Sequence, residues 1–350
     1  MYPALAVLER LNAKFKHVQT LWVGGEGGME ISLVAEASIA FQAIPAAGLH
    51  GVNLRNLPGN LWRLVRGFFA ARRILRSFRP DVLFFTGGYV AVPVALAGLR
   101  IPTALFIPDI EPGLALKALT RFADRIAIIA ADSRKFFLGK ETLLLETGYP
   151  VRHDLLAWNR KKAQLAFGLQ DDLPTLLVFG GSKGARSINR ALFAALSDLL
   201  AEMQIIHISG TANWHEVETA RGDLSPEKAA RYHAYPYLYD EMGAAFAAAD
   251  LALSRGGAST LGEFPAFGLP AILAPYPYAW RYQKVNADYL VKQGAAVILA
   301  DEDLLEKLTP LVRELIHDAP RRRKMGESMQ AVACPDAADE IATMLNQLAE

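Results

Sequence analysis

Apolar residues along this chain come in short continuous runs rather than in strict alternation. The clearest are Val82–Phe85, Thr103–Ile107, Ile126–Ile129, Thr175–Phe179, Ile205–Ile208, Leu251–Leu253, Ala271–Ala274 and Ala296–Leu299. Thr20–Gly25, Phe41–Ile44 and Leu143–Leu145 extend the series. Runs of this length predict strands buried on both faces. Helical stretches separate most of them, and that alternation predicts parallel sheets covered on both sides. Gly148-Tyr149-Pro150-Val151 interrupts the pattern, which restarts at Thr175. We therefore expect an α/β chain of two doubly wound parallel-sheet domains, residues 1–150 and 151–350, facing each other across a cleft. Asp336 is placed to cap a final helix over Ala337–Leu348, a candidate to pack back on the first domain. The opening Ala4–Leu11 is helical in pattern, with no strand before it.

Composition changes this picture little. A chain of 350 residues has the length for two cores. The formal net charge is +1, so nothing overall argues for nucleic acid as a partner. The charge is uneven, however. Residues 1–150 carry 17 Lys and Arg against 11 Asp and Glu, and the remainder carries 20 against 25. The first half is the one to expect at an anionic surface. A single cysteine, Cys334, excludes an internal disulfide and a Cys-rich metal site. The seven histidines show no metal-binding spacing, so no metal is expected. No uncharged apolar run reaches the length of a membrane span, and Met1-Tyr2-Pro3-Ala4 lacks a basic leader region.

Three glycine turns follow predicted strands. Ser254-Arg255-Gly256-Gly257-Ala258 follows Leu251–Leu253 and leads into a helix carrying Glu263. Phe179-Gly180-Gly181-Ser182-Lys183-Gly184-Ala185-Arg186 follows Thr175–Phe179, with Asn189 one turn on. Thr86-Gly87-Gly88-Tyr89 follows Val82–Phe85 in the first half. Glycine lets a phosphate approach the backbone, and a helix start presents N–H groups to it. Gly181, Gly184, Gly256 and Gly257 are thus candidate phosphate contacts, although ordinary tight turns would read the same way. The Phe179–Arg186 turn matches neither the dinucleotide fingerprint nor the P-loop. Glu263 is within reach of a ribose hydroxyl pair, and Arg281-Tyr282-Gln283 falls in a following loop. Ahead of all three turns, Leu61–Arg79 reads as a basic amphipathic helix, with Leu61, Leu64, Val65, Phe68, Phe69, Leu75 and Phe78 flanked by Arg63, Arg66, Arg72, Arg73, Arg76 and Arg79. Such a helix either lies on an anionic membrane or covers a sheet. Gly67 weakens it modestly.

Taken in order, Tyr2–Val7, Gly87–Val90, Gly148–Arg152, Gly180–Arg186, Ser254–Ala258 with Glu263, and Pro335-Asp336-Ala337 resemble the GT-B glycosyltransferases. Specifically, they resemble the peptidoglycan N-acetylglucosaminyltransferases of glycosyltransferase family 28, the MurG type. The resemblance implies inverting transfer of N-acetylglucosamine from UDP-N-acetylglucosamine to a muramoyl-pentapeptide on undecaprenyl diphosphate. The enzyme would sit peripherally on the cytoplasmic face of the bacterial inner membrane and need no cofactor beyond the donor. It implies that Arg152 and Ser182 meet the donor diphosphate with Asn189 nearby, that Tyr239 lies near the uracil, Glu263 on the ribose, and Gln283 near the sugar. Tyr89 and Asp109 fall on the acceptor side. Two departures stand out. The family's first strand, glycine loop and candidate base, a His, would precede Met1, so the catalytic base is unassigned and the activity of the chain as it stands is in question. The family's H-E-Q-N acceptor segment falls on Phe106-Ile107-Pro108-Asp109, with Asp109 and Glu111 as candidate substitutes. A different lipid acceptor, a UDP-sugar epimerase and a non-catalytic UDP-sugar binder remain alternatives.

Overall fold

The computed structural model describes residues 1–27, 31, 34–35, 37–48, 57–181, 184–278 and 281–350. They form two compact units. One comprises Met1–Pro150 with Asp336–Glu350, the other Val151–Pro335. The final helix, Ala337–Ala349, therefore counts with the first unit. There Asp339 forms ion pairs with Arg10 (Nε at 2.9 Å) and Lys14 (Nζ at 2.7 Å) of the opening helix, Tyr2–Lys14. Asp336 stands at the N-cap of the final helix but makes no side-chain capping bond.

In the first unit the strands form two separate parallel ladders. β1 (Leu21–Gly25) pairs with β2 (Ala40–Ile44). β3 (Leu83–Phe85), β4 (Thr103–Ile107), β5 (Arg125–Ile128) and β6 (Leu144–Glu146) pair in that order. Among the described residues no ladder joins β1 or β2 to β3. Both sheets nevertheless share one core: Leu21, Val23 and Ile44 pack in the same cluster as Phe85, Leu105 and Ile126. The helix Leu57–Phe78 covers this core through Ala71 and Ile74. Gly67 belongs to that packed face. A Cβ there would collide with the Pro45 carbonyl, so the residue that costs helix propensity is required by close approach.

The second unit has one six-stranded parallel sheet in the order β12-β11-β10-β7-β8-β9. Its strands are β7 (Thr175–Phe179), β8 (Gln204–Ile208), β9 (Tyr232–Tyr235), β10 (Leu251–Ser254), β11 (Ala271–Leu273) and β12 (Ala296–Ile298). β7, β8 and β10 are buried along their whole length, as expected of strands covered by helices on both faces. The sequence pattern does not reveal β9. Tyr-His-Ala-Tyr is half polar because it forms the sheet edge. From β7 the chain builds outward through β8 and β9, then returns to the other side of β7 as β10. The reversal puts a topological switch point between β7 and β10, where open parallel sheets receive ligands beyond the strand carboxyl ends.

Candidate functional site

Both glycine turns of the second half leave the strands that flank this switch point. Phe179, the last residue of β7, lies in register with Ser254, the last of β10. Gly180 and Arg255 therefore start their turns side by side.

The first turn is shaped by three glycines with different reasons. A Cβ on Gly180 would strike the Ala185 backbone. Gly181 and Gly184 take φ of +82° and +72°, the left-handed region that side chains disfavour. Gly184 also abuts the Ser209 carbonyl so closely that no Cβ fits. The turn closes with Gly184 N–H donating to Gly181 O at 2.9 Å, and the helix Arg186–Leu199 follows. Ser182 lies outside the described residues.

The second turn is stapled by a buried arginine whose role the sequence does not disclose. Arg255 donates to the Ala274 carbonyl (2.8 Å), to Ser187 Oγ (2.6 Å) and to Asp301, and its guanidinium stacks over Tyr276. Ser187 in turn donates to Asp301 at 2.7 Å. This cluster locks the turn to the helix after β7 and satisfies a charge that would otherwise be costly to bury. Gly256 packs against the Gln283 backbone carbonyl, and a Cβ would collide with it. The Gly256 carbonyl accepts from Asn286 Nδ2 at 3.2 Å, and Thr260 Oγ1 donates to the Gly257 carbonyl at 2.6 Å. Gly257 differs. Its φ is −71°, ordinary for any residue, and a Cβ there would meet nothing within 4 Å. Neither conformation nor packing within the fold calls for glycine at that position.

Beyond the turn, the expected single helix is broken. A helical turn, Ala258–Leu261, is followed at Gly262 by a second short helix, Glu263–Phe267. Glu263 opens this helix rather than lying one to two turns inside a continuous one. Its carboxyl is pushed up to about 7 by burial, against a hydrogen bond with Ser259 and the positive charge of Arg152. Arg152 pairs with Asp154 at 3.2 Å. Ser259 and Arg152 thus both act on the Glu263 carboxyl. Gln283 comes to the same turn through the Gly256 contact. It sits in the helix Tyr282–Lys292 rather than in a loop. The Tyr276 N–H donates to its Oε1 at 2.8 Å, which leaves the side-chain NH2 as the group to offer a ligand.

Asn189 corrects the sequence reading. It is fully buried, and its amide bonds to the Ser209 carbonyl and to His207. Its side chain belongs to the framework behind the first turn, not to a ligand surface. Tyr239 is 59% exposed, with its ring 4.5 Å from that of Tyr237.

In the first unit, Gly87 and Gly88 turn the chain after β3 with φ of +129° and +85°, leaving Tyr89 exposed. Asp109 lies just beyond β4, which pairs with β3. Phe106 and Ile107 are wholly buried, Phe106 edge-on to Tyr149, and Glu111 is also buried. Among the described residues no group of His, Cys, Asp and Glu could hold a metal ion.

Two family models together match most of the chain. The glycosyltransferase family 28 N-terminal domain matches residues 1–128, and the family 28 C-terminal domain matches residues 175–341, which include both turns. A protein of Roseiflexus sp. (strain RS-1) is 41% identical across 99% of this chain and 92% of its own length.

The chain belongs to glycosyltransferase family 28.

That relative is named UDP-N-acetylglucosamine–N-acetylmuramyl-(pentapeptide) pyrophosphoryl-undecaprenol N-acetylglucosamine transferase. A protein of the same name from Desulforamulus reducens is 39% identical over 97% of this chain and 93% of its own. The crystal structure of Acinetobacter baumannii MurG superposes with a TM-score of 0.72 at 25% identity, covering 99% of this chain and 95% of that one. The two parallel-sheet units are thus the GT-B architecture of a family 28 glycosyltransferase.

Proposed function

We propose that this chain transfers N-acetylglucosamine from UDP-N-acetylglucosamine to an N-acetylmuramyl-pentapeptide carried on undecaprenyl pyrophosphate. The observation that carries the reading is the pair of glycine turns at the β7/β10 switch point, with Glu263 and Arg152 clustered beside them. The donor pyrophosphate rests on the backbone of Gly181, Gly184, Gly256 and Gly257, with Ser182 adding a hydroxyl. Arg152 meets the same group, and Glu263 accepts from the ribose hydroxyls. The Gln283 NH2 donates to the sugar, and Tyr239 lies along the uracil. The acceptor hydroxyl, giving its proton to a general base, attacks the anomeric carbon from the face opposite UDP, the bond to the diphosphate oxygen breaks, and the configuration inverts. Helix starts and Arg152 stabilise the charge that gathers on the departing diphosphate.

The acceptor docks on the first unit near Tyr89 and Asp109, at the carboxyl ends of β3 and β4. The helix Leu57–Phe78 brings that unit to the cytoplasmic face of an anionic membrane. Two features support this. Leu61, Trp62, Val65 and Phe69 are exposed, Trp62 by 63%. Arg63, Arg66, Arg72, Arg73, Arg76 and Arg79 are exposed around them. No helix among the described residues is long and apolar enough to cross a membrane, so attachment would be peripheral.

The deciding experiment follows labelled N-acetylglucosamine from its UDP donor onto the lipid-linked acceptor. Transfer supports the reading. Donor binding without transfer to any lipid acceptor would leave a UDP-sugar binder instead, and conversion of the donor with no acceptor present would make the chain an epimerase.

A further inference from the structure

The buried residue Asn189 is one link of a polar chain that crosses the core of the second unit. Tyr232 OH lies 2.7 Å from His207 Nδ1, His207 Nε2 lies 3.1 Å from Asn189 Oδ1, and Asn189 Nδ2 donates to Ser209 O at 2.9 Å. All four residues are buried. Burying this many polar groups under a sheet carries a cost unless each is bonded.

The chemistry of the partners sets the direction of every bond. The Ser209 carbonyl can only accept, so the Asn189 group facing it is the NH2. Asn189 Oδ1 therefore faces the imidazole, and because Oδ1 only accepts, His207 Nε2 carries the proton. Nδ1 of the neutral ring is then an acceptor, and the Tyr232 hydroxyl donates to it. Burial keeps the ring neutral by pushing the His207 pKa down to about 3. Phe193 packs edge-on against the imidazole at 5.8 Å and closes off that side.

The end of the relay is the informative part. The Ser209 carbonyl also accepts from Asn213 Nδ2 at 3.3 Å, and it is the atom against which Gly184 packs. It stands where β8 ends, beside the turn that ends β7. Two asparagines thus hold one carbonyl, and that carbonyl sets how closely the glycine turn can approach.

We propose that Tyr232, His207 and Asn189 form a one-way hydrogen-bond relay that positions Gly184, at the end of the glycine turn after β7, for the donor pyrophosphate. They are positioning residues and touch no substrate. The inference rests on the reading of that turn as the pyrophosphate seat. A relay needed only for folding would place no demand on donor affinity.

Two measurements on the full chain decide it. Nitrogen-15 NMR of the histidine rings should find His207 neutral with its proton on Nε2; a proton on Nδ1, or an imidazolium at pH 7, would overturn the assigned direction. Calorimetry with UDP should then compare the wild type with Tyr232→Phe, Asn189→Asp and Glu263→Ala. Tyr232→Phe removes one distant donor, and we expect UDP to bind about three- to tenfold more weakly. Asn189→Asp replaces the donor that holds Ser209 and should weaken UDP further. Should Asn189→Asp fail to fold, Tyr232→Phe and the wild-type tautomer still decide. If Glu263→Ala weakens UDP while a folded Tyr232→Phe binds like the wild type, the relay is purely structural and the inference is overturned. If both variants bind UDP like the wild type, the donor reading falls and takes the inference with it.

Discussion

The two units differ in how their strands are joined: one six-stranded sheet in the second, two ladders among the described residues of the first. In the second unit, β7 and β10 are hydrogen-bonded neighbours, and the turns leaving them are tied by Arg255, Asn286, Thr260 and the Ser209 carbonyl. Among the described residues of the first unit, the ladder stops at β3, and β1–β2 stands as a separate pair. Its candidate residues, Tyr89 and Asp109, follow β3 and β4. In the proposed donor seat the backbone is packed tightly at Gly184 and left open at Gly257. The first is glycine because the fold touches it, the second although nothing in the fold does.

The largest effect should come from the packed side. Gly184→Ala forces a side chain onto a positive-φ residue and into the Ser209 carbonyl. We expect about 2–4 kcal/mol of lost stability in urea denaturation together with more than tenfold weaker UDP binding. Unchanged affinity would mean the turn is only a connection. Glu263→Ala should weaken UDP-N-acetylglucosamine by about 1–3 kcal/mol in calorimetry, the cost of losing a charged hydrogen bond. Gly257→Ala sharpens the contrast with Gly184. Stability should change by less than about 0.5 kcal/mol, since φ and space are both ordinary, while donor affinity falls. A variant that binds donor normally would remove Gly257 from the seat.

On the first unit, reversing Arg72 and Arg73 to Glu should abolish the salt-sensitive part of binding to anionic vesicles and leave UDP affinity alone. Vesicle binding indifferent to both salt and these substitutions would make the helix a sheet cover only. The smallest effect concerns pH. The carboxyl of Glu263 is raised in the folded state, so between about pH 4.5 and 7 the folded chain holds a proton that the unfolded chain has released. Its contribution to stability therefore declines as pH rises through that window. Glu263→Gln should flatten the decline, and an identical stability profile would show that the carboxyl titrates normally.

The legibility of these features followed burial. Strands covered on both faces stand out in the sequence because burial leaves only apolar choices, and β4, β7 and β8 show this. β9 was hidden because an edge strand can carry Tyr232, His233 and Tyr235 on a half-polar pattern. The glycine turns were legible as turns. The separate reasons for each glycine were not, because a collision with Ser209 or Pro45 involves residues far away in sequence. Asn189 misled for the same cause. An asparagine just after a glycine turn looks like a ligand contact, and only the arrival of β8 and β9 on its other side reveals its bonds to His207 and Ser209.

Local order and composition were settled by the amino-acid sequence alone: alternating strands and helices, two half-chains of opposite charge, and glycine turns after buried strands. Those depend on apolar patterning and backbone sterics, which act between near neighbours. Which strands stand side by side, whether a polar residue faces ligand or core, and where Arg255 spends its charge were decided by tertiary structure. Such matters depend on the desolvation of groups brought together from distant parts of the chain, and no single stretch of sequence contains both partners.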